Sequence, residues 1–118
     1  MQDLKAPYKR SAIDIGELIQ QLPKGTINAA YSNQLIRSSS SPGTNYRAAC
    51  RAKSTPDFIN KLKIVEEELD ETIYFLELLQ HFNPDLKVQI EVLIKEANEL
   101  LAITVTSIKT SRTKPRTS

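Results

Sequence analysis

Tryptophan is absent from this 118-residue sequence, and cysteine and histidine occur once each. A lone Cys50 rules out an internal disulfide and gives no reason to expect an oxidising compartment. One Cys and one His also exclude the zinc spacings, which need these residues in pairs. Only three glycines are present, and long stretches carry neither Gly nor Pro, unlike the turn-rich sequence of a β-sandwich. No apolar run approaches the ~20 residues of a membrane span, and residues 1–7 contain no signal-peptide core. These absences predict a soluble, cytoplasmic protein with no membrane partner.

What remains is an ordinary globular composition, 40% hydrophobic and 25% charged, at a length that suits one domain with one core. A first helix is predicted over residues 7–22, with Ile13, Leu18, Ile19 and Leu22 as a partial apolar stripe, ended by Pro23-Lys24-Gly25. A second begins near Thr26 with Ile27, Tyr31 and Leu35 on one face and reaches about Arg51. The run Ser38-Ser39-Ser40-Ser41-Pro42-Gly43-Thr44-Asn45 interrupts it, so the residues alone leave either two short helices or one kinked helix.

The third helix has the clearest signature. Ser54-Thr55-Pro56-Asp57 supplies a hydroxyl cap, a first-turn proline and an acid at the positive end of the helix dipole. Phe58, Leu62, Val65, Leu69, Thr72, Leu76 and Leu79 then alternate by four and three residues, the spacing of a bundle seam. After a turn at residues 81–85, Leu86, Ile90, Leu93, Ala97, Leu100 and Thr104 repeat that spacing, widened by Ile94, Leu101 and Ile108.

Four amphipathic segments with short turns predict an all-α, antiparallel up-down-up-down bundle over residues 1–109. Residues 110–118, lacking apolar side chains, are expected to be a disordered basic tail. Phe58, Leu62, Val65, Leu69, Leu76, Leu93, Leu100 and Leu101 are the predicted core. Counting outward from a turn at Ser54 sets Arg37 opposite Glu71, Arg51 opposite Asp57 and Arg47 opposite Lys61. Ile64, Tyr74 and Leu78 on the third helix, with Val88, Val92, Ala102 and Val105 on the fourth, fall off the core stripe. Aligned along two neighbouring helices, they suggest a second buried face and hence a homo-oligomer.

The net charge of +2 conceals segregation. Residues 37–63 hold six bases and one acid, residues 66–77 six acids and no base, and residues 107–118 four bases and no acid. Such runs are either solvated faces or the footprint of an anionic partner.

From Leu35 to Leu79 the chain reads LIRSSSSPGTNYRAACRAKSTPDFINKLKIVEEELDETIYFLELL. This resembles the bacterial four-helix-bundle proteins encoded by intervening sequences of large ribosomal RNA. Their pattern runs Ser-x-Gly-Ala-Asn-Tyr, an alanine-rich stretch, Ser-x-x-Asp-Phe, Lys-Leu, an acidic run and an aromatic-Leu-Glu-Leu ending. Ser41, Gly43, Asn45, Tyr46, Ala49, Ala52, Ser54, Asp57, Phe58, Lys61, Leu62, Glu67, Glu71, Phe75, Leu76 and Leu78 match it. Thr44 stands where Ala is usual, and Ala48 where many relatives carry an acid.

The resemblance implies one long second helix kinked at Pro42 and Gly43; the helical spacing of the small residues Ser38, Pro42, Asn45, Ala49 and Ala52 would let a neighbouring helix approach closely there, the alternative being a partner-binding loop. It also implies a homopentameric ring and no catalytic residues. A more distant similarity, to the accessory protein of diversity-generating retroelements, implies RNA or DNA and a reverse transcriptase as partners.

Chemistry is scarce. The acids of residues 66–77 lack the Glu-x-x-His motifs of a di-metal bundle. Cys50 and His81 have no orienting third group, and a lone helical Cys is expected to be a small buried hydrophobe. No phosphate loop or nucleophile elbow occurs. We expect a non-enzyme with no metal and no cofactor. The remaining candidate is basic: Arg47, Arg51, Lys53, Lys61 and Lys63, aided by Arg112, Lys114 and Arg116, with Tyr46 available to stack on a base. The competing reading assigns these charges to subunit or partner contacts.

Overall fold

The structure, a computed structural model, describes residues 3–113. Four helices make up the described residues: α1 (Lys5–Gln21), α2 (Thr26–Cys50), α3 (Thr55–Phe82) and α4 (Lys87–Thr113), with one 3₁₀ turn at Pro84–Leu86. Among the described residues each helix packs on its sequence neighbour and α4 returns to α1, while the diagonal pairs have no close backbone approach. That is the square, antiparallel arrangement that short turns enforce.

The caps follow from local chemistry. Ser54, extended at φ −151° and ψ 160°, accepts a 3.2 Å hydrogen bond from the Asp57 N–H, with Pro56 in the first turn. At the opposite end, Asn83 is buried. Its amide donates to the Leu79 carbonyl at 2.9 Å and to Asn28 Oδ1 at 2.8 Å. Asn28 returns a 3.0 Å bond to Asn83 and donates to the Pro23 carbonyl at 2.9 Å. This reciprocal pair fastens the α1–α2 turn to the α3–α4 turn.

The core has two apolar groups. Ile15, Leu18, Leu35, Leu76, Leu79, Ile90 and Leu93 fill the half near Asn83. Leu4, Tyr8, Tyr46, Ala49, Leu62, Val65, Leu69 and Ile108 fill the half near Ser54. Small buried hydroxyls contribute from every helix: Ser11, Ser38, Ser39, Thr72 and Thr104. Thr72 and Thr104 satisfy their hydroxyls on carbonyls one turn back, Glu68 at 2.8 Å and Leu100 at 2.7 Å. Among the described residues no buried side-chain N or O lacks a partner.

α2 runs as one helix through Pro42 and Gly43, so the choice between two short helices and one long helix resolves to the latter. Pro42, Ser38 and Ala49 are buried. Asn45, half-buried, donates to the Ser41 carbonyl and to Ser41 Oγ, both at 3.0 Å. Local side-chain bonds thus compensate a stretch that propensity disfavours.

Several expectations need correction. The buried face of α1 is Tyr8, Ser11, Ile15 and Leu18, continued by Leu4, and Ile13 is exposed because it lies two residues off that stripe. Ile27 is exposed in the first turn of α2. Phe58 and Leu101 are half-buried and pack on the core from its margin. Cys50 is exposed, not buried. Its neighbour Ala49 takes the inward position in the last turn of α2, which leaves Cys50 on the outer side. α4 continues to Thr113, so residues 110–113, expected in the tail, are helical. Residues 114–118 lie outside the described residues.

Candidate nucleic-acid interface

Alternating helix direction brings four separate stretches to one end of the bundle: the start of α1, the end of α2, the start of α3 and the end of α4. Residues 3–10, 44–63 and 105–113 together contain ten bases and two acids, Asp3 and Asp57. The other described residues contain four bases and twelve acids. The bundle is therefore strongly dipolar along its 56 Å length, which local charge runs only partly suggest.

Arg47, Arg51, Lys53 and Lys63 are exposed at the basic end, and Lys61 is half-buried there. Arg112 is exposed in the last turn of α4, while Lys114 and Arg116 lie outside the described residues. The structure adds Lys5, Lys9, Arg10 and Lys109 to this end. The ion pairs among the described residues belong to Arg37, which bridges Glu68 at 3.0 Å and also meets Glu71. The expected Arg37–Glu71 approach is thus present, and the expected Arg51–Asp57 ion pair is not.

Arg47 sits on the α1 side of α2. With Lys5 and Lys9 it lines a cleft of ≈ 300 Å³ between α1 and α2. Ten residues separate it from Arg37, and at 3.6 residues per turn that is not a whole number of turns. Arg37 faces α3, so Arg47 is carried round toward α1. Counting residues from the turn thus anticipates the Arg37–Glu71 approach, but not the cleft that Arg47 shares with α1.

Tyr46 cannot stack on a base. It is only 4% exposed, its ring lies 5.1 Å from that of Tyr8, and its hydroxyl accepts the Leu4 N–H. Burial raises the pKa of both tyrosines above the ordinary value. Tyr8 reaches across to α4, where its hydroxyl lies 2.5 Å from Thr104 Oγ1.

The profile of the 23S rRNA-intervening sequence protein family matches residues 8–106. The chain belongs to that family. Among solved structures, it is similar to a protein of unknown function from the S23 ribosomal protein family of Bacteroides thetaiotaomicron. That likeness has 32% identity and a TM-score of 0.80, over 92% of this chain and 100% of the other. A search of curated proteins gives no match. The chain is thus a four-helix-bundle member of that family, and neither description names a catalytic activity.

Among the described residues, no group of three or more His, Cys, Asp and Glu could hold a metal ion, and no helix is long and apolar enough to cross a membrane. The off-stripe apolar side chains lie outside the core: Tyr74 is 56% exposed, Val88 80% and Val92 53%, with Ile64 also exposed and Leu78 half-buried. Tyr74 adjoins Phe75, which meets Tyr31, which meets Phe82, a chain of rings on the α2–α3 face. The lysines of α1 were the functional candidates that sequence reading missed. The available signal was the predicted topology itself, which assigns the α1 start and the α2 end to one pole.

Proposed function

We propose that this family member is a non-catalytic accessory protein that binds RNA or DNA backbones through the basic end of its bundle. The observation that carries this reading is the convergence of ten bases with two acids at one end. Phosphate contacts by Lys and Arg supply affinity without reading sequence. Arg51, Lys53, Lys61, Lys63 and Arg112 form the contact set, with Lys5, Lys9 and Arg47 on its α1 flank. Because the family description refers to 23S rRNA intervening sequences, single-stranded RNA is the first probe. Photocrosslinking a uridine-rich RNA and mapping the modified peptides tests the reading. Adducts concentrated in residues 44–63 and 105–113 are expected; adducts confined to residues 66–99, or none at low salt, refute it.

A second component is self-association. Exposed Tyr74, Val88 and Val92, with Ile64 and Leu78, give α3 and α4 apolar surface that the monomer leaves uncovered. A homo-oligomer, taken as a pentamer on the resemblance, repeats each weak basic end and raises effective affinity without new contacts. Multi-angle light scattering at micromolar concentration is expected to give a multiple of 13.3 kDa. A monomer mass contradicts the assembly, and a different multiple corrects only the number.

A further inference from the structure

The α1–α2 cleft differs from the rest of the basic end. Lys5 and Lys9 come from α1, and Arg47 from α2. No acid lines it. The nearest acid in sequence, Asp3, already accepts the Lys5 main-chain N–H at 3.0 Å. The rest of the wall is formed mostly by small residues, Ala6, Ala12, Ser40 and Gly43, with Tyr8. Thr44 borders it, its hydroxyl committed only to a long 3.4 Å bond with the Ser40 carbonyl. At Gly43 a side chain would project to within 3.5 Å of Tyr8 Cβ, so the missing side chain leaves room between the helices.

We propose that this cleft binds a nucleotide phosphomonoester, its phosphate held by Lys5, Lys9 and Arg47 and its nucleoside laid against Ala12 and Gly43. The proposal rests on the nucleic-acid reading and narrows it to a chain terminus or a free nucleotide. A phosphomonoester carries about −1.5 to −2 charges near neutral pH, against one for each backbone phosphate, and so makes fuller use of three unbalanced cations. The volume, ≈ 300 Å³, lies at the small end for ligand pockets and suits one nucleotide better than a passing strand. Beyond Ala12 the α1 sequence becomes acidic at Asp14 and Glu17, which opposes continuation of a strand toward the middle of the bundle.

Uridine 5′-monophosphate and uridine, titrated separately into the ¹⁵N-labelled full chain, test the site. The monophosphate is expected to shift the Gly43 and Thr44 amides saturably, and uridine is not. The Lys5→Gln/Lys9→Gln variant should weaken monophosphate binding at least about tenfold, as expected for losing hydrogen bonds from charged donors. Its helicity and its amide spectrum outside the cleft should be unchanged. A second arm compares one short RNA with 5′-phosphate and 5′-hydroxyl ends. Tighter binding of the phosphorylated strand assigns the ligand to a chain terminus, and equal affinities assign it to the free nucleotide. Absence of a saturable monophosphate shift, or a shift that survives Lys5→Gln/Lys9→Gln, overturns the proposal. Because the monophosphate titration contains no strand, its failure leaves backbone binding by Arg51, Lys53 and Lys63 standing. Failure of strand binding likewise leaves the cleft to be judged by the monophosphate alone.

Discussion

Tyr8 of α1 and Thr104 of α4 are joined by a buried hydrogen bond of 2.5 Å. Thr104 already donates to the Leu100 carbonyl at 2.7 Å, so the tyrosine hydroxyl is the donor between the two. The bond holds the start of α1, with Lys5 and Lys9, against the rest of the bundle. Removing its two ends should therefore have unequal consequences. Tyr8→Phe leaves Thr104 bonded to its own helix and should cost about 0.5–1.5 kcal/mol; Thr104→Val strands a buried tyrosine hydroxyl and should cost about 1–3 kcal/mol. Urea denaturation of the two variants checks the order.

The same tyrosine sets an alkaline limit. Burial raises its pKa above the ordinary 10.0, so its folded state favours the neutral phenol. That contribution is fully present below pH 10.0 and is lost as pH rises through the folded value. Wild type should lose stability above that point more steeply than Tyr8→Phe. Parallel denaturation curves across pH 9–11 would contradict the assignment.

Glu96 makes the opposite kind of test, at the contact between α4 and α1. Its pKa is raised above the ordinary 4.5, first by burial and then by Asp14 and Glu99, with Arg10 opposing. The ionised carboxylate is thus the disfavoured form in the folded state, and the favourable contribution present below pH 4.5 disappears as pH rises through the folded value. Glu96→Gln should raise the melting temperature at neutral pH, with the difference shrinking toward acid. Thermal unfolding at several pH values measures it.

Gly43 lies inside α2, where glycine costs roughly 0.5–1 kcal/mol relative to alanine. A Cβ there would meet Tyr8 Cβ at 3.5 Å, an ordinary contact. Gly43→Ala should therefore stabilise the bundle by up to about 1 kcal/mol while narrowing the α1–α2 cleft. Loss of stability in a denaturant titration would show that α1 cannot accommodate the methyl group.

The bundle was legible where side-chain volume repeats with helical period. Leu62, Val65, Leu69, Leu76 and Leu79 are buried as their spacing requires. α1 was harder to read because its inner face mixes Tyr8 and Ser11 with Ile15 and Leu18, whereas exposed Ile13 imitates a core residue. Tyr46 has a composition fit for stacking, but its burial depends on the arrival of Leu4 from forty-two residues away. The basic candidates on α2 and α3 were visible as a run. Their union with Lys5 and Lys9 is a tertiary fact, created by antiparallel packing, and the orientation of Arg47 depends on helical phase that counting from a turn ignores.

The account's central claim is that the basic end binds nucleic-acid backbones. Fluorescence anisotropy of a labelled single-stranded RNA, titrated at several salt concentrations with wild type and with Arg51→Gln/Lys53→Gln/Lys63→Gln, tests it directly. These side chains are exposed, so the variant should retain its fold and helicity. Wild-type affinity should fall linearly in log salt with a slope of about −0.7 per phosphate contact, and the variant's slope should be shallower by roughly 2. No wild-type binding at low salt, or identical slopes for the two proteins, would contradict the claim and return these cations to contacts between protein surfaces.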